Sequence, residues 1–348
     1  IMSKNVWDAA AAEVQLMQSG GGNSLEKFIL FVGGKSSGKT TAILKFLSRD
    51  EAPRPTTALE YTFARRANNL QDKMTGHIWE LGGGVNLIKL MDVSLTVDTI
   101  HSMTVILVLD LSNPSELWYT AENLLKAARA RIDATLSQMS KQKAGLQQKF
   151  LKEAWERLGG KDRPDAHVIN PFLVPLVIIG SKFDKFQEME PEQKKVITQC
   201  IRYLALSNGA SAIFMSSKIE ATVKGLRHIM NVAAFGGPLN KTPVIDNKRP
   251  LYVPAGIDSL DGIGSPPLKS SDIGRVSSRN PTEVWKSAFC GHFPQENTGS
   301  KLQASLQDDP AKDKQFKEPR IDELRAQKDR ELEAFKKQEG QKWTTRIS

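Results

Sequence analysis

An α/β domain built on a mainly parallel sheet, with helices on both faces, is the fold class that the residues predict, and three observations predict it. Short continuous apolar runs recur at strand length: Phe28–Gly33, Thr104–Leu111 and Leu176–Gly180. Runs of this kind are strands buried on both faces, as in a parallel sheet. Segments of helical spacing separate them, as in Leu124, Leu125, Ala128, Ile132 and Leu136. Such alternation places helical crossovers over the sheet. The third observation is the turn between the first strand and the first helix, Gly33-Gly34-Lys35-Ser36-Ser37-Gly38-Lys39-Thr40. It satisfies G-x-x-x-x-G-K-[ST] at every fixed position.

The elements follow in order. Residues 1–25 form a short lead, in which Val6–Met17 has helical composition and Gly20–Gly22 ends it. Phe28–Gly33 is a strand stopped by glycine, and Lys39–Leu47 is the helix after the turn. Leu59–Phe63, His77–Leu81 and Thr104–Leu111 read as strands, and Glu116–Arg131 and Lys149–Leu158 as helices. Leu176–Gly180 (strand), Glu192–Asn208 (helix) and Ser211–Met215 (strand) continue the alternation. Glu220–Phe235 closes it as a helix, with Val223, Leu226, Ile229, Met230 and Ala233 on one face. The expected divisions are the lead over 1–25, a P-loop domain over 26–236, an extended Pro/Gly-rich wrapping segment over 237–299, and a charged tail with a terminal helix over 300–348.

Composition narrows the class. At 348 residues the chain is two or three domains, or one domain with long extensions. With 40% apolar and 25% charged residues it is globular. No apolar run approaches the ~18 residues of a membrane helix, and residues 1–18 lack a secretory pattern, so no membrane insertion is expected. The two cysteines, Cys200 and Cys290, make neither a disulfide framework nor a zinc site, which fits a reducing compartment. The net charge of +9 comes from basic residues interspersed with acidic ones, as in Lys141–Arg157 and Arg320–Lys342. That pattern points to a solvated surface and protein contacts, not to nucleic acid.

The glycine-rich turn has a physical purpose. Gly33 ends the strand, and Gly38 permits backbone angles that a Cβ forbids. Successive N–H groups then face inward to bind phosphate oxygens, helped by the dipole of the following helix. Lys39 is placed to reach β- and γ-phosphates, and the Thr40 hydroxyl to bind Mg²⁺. The phosphate set is therefore Gly33, Ser36, Ser37, Gly38, Lys39, Thr40 and Thr41.

Two further elements bear on the base. After Leu176–Gly180 comes Ser181-Lys182-Phe183-Asp184, at the place of the Asn/Thr-Lys-x-Asp element that reads guanine. Asp184 is placed to accept from guanine N1–H and the 2-amino group, and the Lys182 stem to lie along the base. The plainer reading is a helix-capping aspartate, and Ser181 is shorter than the usual Asn. Ser216-Ser217-Lys218, directly after Ser211–Met215, resembles the Ser-Ala-Lys loop of Ras-like proteins, which brings in Ser217 and Lys218.

The switch elements are altered. Trp79-Glu80-Leu81-Gly82-Gly83-Gly84 stands at the place of Trp-Asp-Thr-Ala-Gly-Gln. Glu80 replaces the aspartate of the Mg²⁺ shell, and Gly83 stands where an N–H would meet the γ-phosphate. Gly84 replaces the water-orienting glutamine, and glycine has no side chain to position that water. Thr56 or Thr57 is placed to serve as the switch I threonine. The cofactor expectation is GTP or GDP with Mg²⁺, held by Thr40 and Thr56, on a scaffold used for binding rather than turnover.

The segments GGKSSGKTT (33–41), PTTALEYTFARR (55–66), HIWELGGG (77–84), LVLDLSNPSELW (107–118), VPLVIIGSKFD (174–184), AGIDSLDGIGSPP (255–267) and DELRAQKDRELEAFKK (322–337) resemble the light intermediate chain family of cytoplasmic dynein 2. The resemblance spans about Val6 to Trp343, including the region after the P-loop fold that ordinary Ras-like GTPases lack. It implies a Ras-like P-loop fold and a non-catalytic subunit of the retrograde intraflagellar transport motor. It implies the dynein 2 heavy chain as partner, with the intermediate and light chains reached through the complex. It implies cytoplasm, ciliary base, axoneme and cytoskeleton as locations. Only 49 residues follow Gly299, short for the adaptor-binding arm of the dynein 1 counterpart.

Two segments keep two readings each. Val253, Ile257, Leu260, Ile263, Trp285 and Phe289 are core residues or partner anchors. Ile321–Lys337 is a solvated helix or a partner-binding one with a thin stripe of Ile321, Leu324, Lys328, Leu332 and Phe335. The rival function is an active Ras-like GTPase, which would want a glutamine near Gly84 and an Asn at Ser181. A nucleic-acid-dependent NTPase would want a glutamate after Asp110, and Leu111 stands there.

Overall fold

The computed structural model describes residues 26–67, 73–141, 145–246, 249–268, 280–295 and 318–347. The expected helix at Val6–Met17 and residues 300–317 of the tail lie outside them. The described residues up to 295 form one compact unit, and those from 318 onward belong to a second.

The first unit is a seven-stranded sheet in the order β2-β3-β1-β4-β5-β6-β7. Its strands are β1 (Glu26–Gly33), β2 (Leu59–Ala67), β3 (Lys73–Leu81), β4 (Met103–Asp110), β5 (Leu176–Ser181), β6 (Ser211–Phe214) and β7 (Tyr252–Val253). β1, β3, β4, β5 and β6 run parallel; β2 and β7 are antiparallel and lie at the two edges. The central strands are the continuous apolar runs, and β4 and β5 are buried along almost their whole length.

Helices α1 (Lys39–Phe46), α2 (Pro114–Ser140), α3 (Leu146–Arg157), α4 (Phe183–Phe186), α5 (Pro191–Asn208) and α6 (Glu220–Phe235) carry the crossovers. Alternate residues of β1 feed the two layers. Leu30 and Val32 meet the α2 and α5 side, while Ile29 and Phe31 meet α1 and α6. Each helix buries the stripe its spacing implies, for instance Val223, Leu226, Ile229 and Met230 in α6. Ala233, expected on that stripe, is only partly buried.

Packing does not stop at Phe235. After β7 come α7 (Leu260–Ile263) and α8 (Pro281–His292). Val253, Ile263, Trp285 and Phe289 are all buried, and so resolve as core; Ile257 is 43% exposed. Trp285 stacks on Tyr203 of α5 at 4.7 Å between ring centroids. Arg202 of α5 makes a two-pronged ion pair with Asp258, at 2.8 and 2.7 Å. Gln295 Oε1 accepts from the backbone N–H groups of Trp118 and Tyr119, and its Nε2 donates to the Pro114 carbonyl, fastening this segment to the start of α2.

In the second unit, α9 (Pro319–Ile347) is a single long helix. Ile321, Leu324, Leu332 and Phe335 are each more than half exposed, and Lys328 pairs with Glu331.

Candidate functional site

The carboxyl ends of β1, β3, β4, β5 and β6 line up along one end of the sheet, where open α/β sheets bind their ligands. Five loops from five strand ends bring the expected residues there.

The loop after β1 turns on two left-handed residues, Ser36 (φ 57°) and Gly38 (φ 88°). Gly33 is forced by packing, because a Cβ there would collide with the Val108 carbonyl of β4. Lys39 is buried, and its Nζ donates to the carbonyls of Gly33 (3.2 Å) and Gly34 (2.8 Å). Burial pushes the Lys39 ammonium below its usual range, and the Glu80 charge pulls it back up. Thr41 sits half-buried in the first turn of α1.

Thr40 donates its hydroxyl to Glu80 Oε1 at 2.8 Å. Glu80, at the end of β3, is 4% exposed. Burial raises its carboxyl above the usual range, against the opposing pull of Thr40, Lys39 and Thr56. Thr56 approaches the same place ahead of β2 and donates to Glu60 at 3.3 Å. Its carbonyl packs so close to Gly82 that no Cβ fits there, and the Gly82 N–H donates to Ala58 at 2.7 Å. Gly83 and Gly84 are both left-handed, at φ 67° and 59°, and Gly84 packs on Gly34 of the phosphate loop.

On the base side, Ser181 has a structural task. Its buried hydroxyl donates to the Ser37 carbonyl at 2.6 Å and lies 3.2 Å from that of Leu109, tying β5 to the phosphate loop. Lys182 is left-handed (φ 56°) and reaches Asp110 at 2.5 Å. Asp184 accepts from Ser216 Oγ (2.8 Å) and Lys218 Nζ (2.7 Å). The Lys218 bond is the chief cause that holds the Asp184 carboxyl below its usual range.

The expected residues thus converge, with differences of detail. Ser216, not Ser217, touches Asp184, and Ser217 is exposed. Asp110 belongs to the site as the partner of Lys182. Its place one residue past an apolar run was the available signal. The Thr40–Glu80 bond links residues forty positions apart, and no local pattern announces it.

The phosphate half fits an anionic group. The turn is walled by backbone, its lysine is buried, and the buried Ser37 hydroxyl has no hydrogen-bond partner among the described residues. Thr40, Glu80 and Thr56 supply oxygens suited to a hard cation. At the base side, the Asp184 carboxylate retains lone pairs beyond the two bonds it accepts. Position 84 offers no side chain to orient a water.

Comparison with known proteins agrees with this architecture. The family model for the dynein light intermediate chain (DLIC) matches residues 2–166 and 162–265. Cytoplasmic dynein 2 light intermediate chain 1 of Mus musculus is 42% identical over 98% of this chain and 97% of its own length. Cytoplasmic dynein 1 light intermediate chain 1 of Homo sapiens is 24% identical, covering 75% of this chain and 55% of its own. The crystal structure of the dynein light intermediate chain's conserved domain superposes with a TM-score of 0.54 at 17% identity, over 84% of this chain and 99% of that one. That last likeness shows the Ras-like fold alone. On the family match and the near full-length identity together, the chain belongs to the dynein light intermediate chain family.

Proposed function

We propose that this chain is a non-catalytic accessory subunit of the cytoplasmic dynein 2 motor, binding and stabilising the heavy chain for retrograde intraflagellar transport and cilium assembly. One observation carries the reading: 42% identity runs over 98% of the chain against the dynein 2 relative, but only 24% over 75% against the dynein 1 relative. The intermediate and light chains are partners through the complex. The working places are the cytoplasm, the ciliary base and the axoneme.

The site supports a bound guanine nucleotide with Mg²⁺ as a structural ligand. Gly33, Ser36, Ser37, Gly38, Lys39, Thr40 and Thr41 would hold phosphates, and Thr40 and Thr56 the metal. Lys182, Asp184, Ser217 and Lys218 would flank the base. A ligand bound only by the folded chain stabilises it, by about 2.7 kcal/mol at a hundred times its Kd. Gly84 supports binding without fast turnover.

The test is depletion of the chain in ciliated cells with the dynein 2 heavy chain quantified. The heavy chain level is expected to fall, and re-expression of either the wild type or Lys39→Ala to restore it. An unchanged heavy chain level would contradict the stabilising role. Rescue by the wild type alone would show that nucleotide is required for it.

A further inference from the structure

Strand β2 pairs with β3 on its inner side, and among the described residues no strand pairs with its outer side. It is long for an edge strand. Its nine residues keep unbroken register, from Leu59 opposite Leu81 to Ala67 opposite Lys73, and include neither proline nor glycine. Proteins blunt such edges with proline, bulges or brevity, because the unpaired N–H and C=O groups accept another strand. Glu60, Tyr61, Phe63, Arg65 and Arg66 are exposed, Tyr61 by 47% and Phe63 by 43%. A 2.7 Å hydrogen bond between the Tyr61 hydroxyl and His77 Nδ1 presets that ring, and Arg65 lies over the Phe63 ring at 4.7 Å.

We propose that the occupant of this edge is β2 of a second copy of the chain, paired antiparallel about a two-fold axis at Phe63. The axis stands perpendicular to the sheet, so residues that face each other lie on the same face of it. Phe63 then faces Phe63 of the second copy. Tyr61 faces Arg65 of the second copy, a ring against a guanidinium. Glu60 faces Arg66 of the second copy, opposite charges directly across, and symmetry makes each pair twice. An axis at Thr62 would instead set Glu60 against Ala64 and Arg65 against Leu59. An axis at Ala64 would set Arg66 against Thr62. Glu60 and Arg66 share a face of β2, and they meet only when the axis is at Phe63. The strand is therefore self-complementary in one register, as a contact between identical surfaces requires.

Pairing of this kind joins two sheets into one. The paired strands run about 30 Å, from the rise per residue of a strand. A single strand pair with its side chains is at the low end of specific interfaces, so the dimer is expected to form in the micromolar range.

Analytical ultracentrifugation of the full chain tests this. The wild type is expected to pass from monomer to dimer as its concentration rises from about 1 to about 200 μM. Glu60→Arg and Arg66→Glu each set like charges across the axis twice, and each should weaken the dimer about tenfold or more. Both residues are exposed, so each variant should keep the wild-type melting temperature. An equal mixture of the two variants restores both ion pairs. It should yield a heterodimer at a concentration where each variant alone is monomeric. A wild type that stays monomeric throughout would overturn the proposal. So would a dimer that both variants leave intact, or a mixture of the two that stays monomeric.

Discussion

Thr40 and Glu80 are joined by a direct 2.8 Å hydrogen bond between the phosphate loop and the end of β3. The longer Glu80 side chain meets the Thr40 hydroxyl without an intervening group. The neighbouring Gly83 and Gly84 contribute backbone only. The glycine-rich loop is therefore tied directly to the end of β3, beside a run, Gly82 to Gly84, that carries no side chain.

Glu80 gives the site a pH signature. Burial holds its carboxyl above the usual range, so the folded chain binds this proton more tightly than the unfolded one. Stability from this group is full at acidic pH and declines as pH rises through the folded-state value. Glu80→Gln removes that dependence. Thermal melts are expected to coincide near pH 5, with the variant melting higher at alkaline pH. A variant that melts lower at alkaline pH would show that the charged form is stabilising.

Lys39→Ala should separate the two properties of the chain. Lys39 is buried in the phosphate loop and far in sequence from the elements after β6. Nucleotide affinity, read by fluorescent GDP or GTP titration, is expected to fall about a hundredfold, as a lost charge-assisted contact of roughly 3 kcal/mol implies. Heavy chain association is expected to persist. Its loss in parallel would make nucleotide a structural requirement.

Asp184→Asn should act on affinity and not on the fold. Its partner Lys218 is mostly exposed, and solvent screens such pairs so that they add little to stability. The folded carboxyl is held low, so its small stabilisation is present above the unfolded pKa and is lost as pH falls through the folded value. The melting temperature at neutral pH should barely move, while guanine nucleotide binds about tenfold more weakly or worse. Equal loss of adenine nucleotide binding would show that Asp184 does not read the base.

Arg202→Ala should be severe. Arg202 and Asp258 have side chains only 6% exposed, and removing one partner strands a buried charge, at about 3–5 kcal/mol. A melting temperature lower by roughly 10 °C is expected for a domain of this size. Truncation after Phe235 strips the same contacts together with Trp285 and Phe289. It is expected to give insoluble or molten protein, read by near-UV circular dichroism. A well-folded truncated domain would mean that the region after α6 is dispensable.

The sequence revealed what is local. Eight contiguous residues specify the phosphate loop, because a tight turn, an anion and a helix start impose fixed spacing. The central strands were plain because burial on both faces leaves only apolar residues. Relations between distant residues were not readable. Glu80 finds Thr40, Lys182 finds Asp110 and Ser181 finds Ser37 only after the sheet brings strand ends together. β7 is two residues long, too short for any period. In α8, Trp285, Ala288 and Phe289 do follow helical spacing, but one turn of signal is lost among prolines and serines. Side-chain packing continues past Gly236 through Val253, Ile263, Trp285 and Phe289.

A subunit of a dynein 2 assembly and a switching GTPase would retain different proteins. The most direct measurement is affinity purification of the tagged chain from ciliated cells, with quantitative mass spectrometry of everything retained. The dynein 2 heavy chain is expected at a fixed ratio to this chain, whichever nucleotide is added. Recovery of exchange factors or nucleotide-dependent effectors, with no dynein chain, would contradict it and make a switching GTPase the better description.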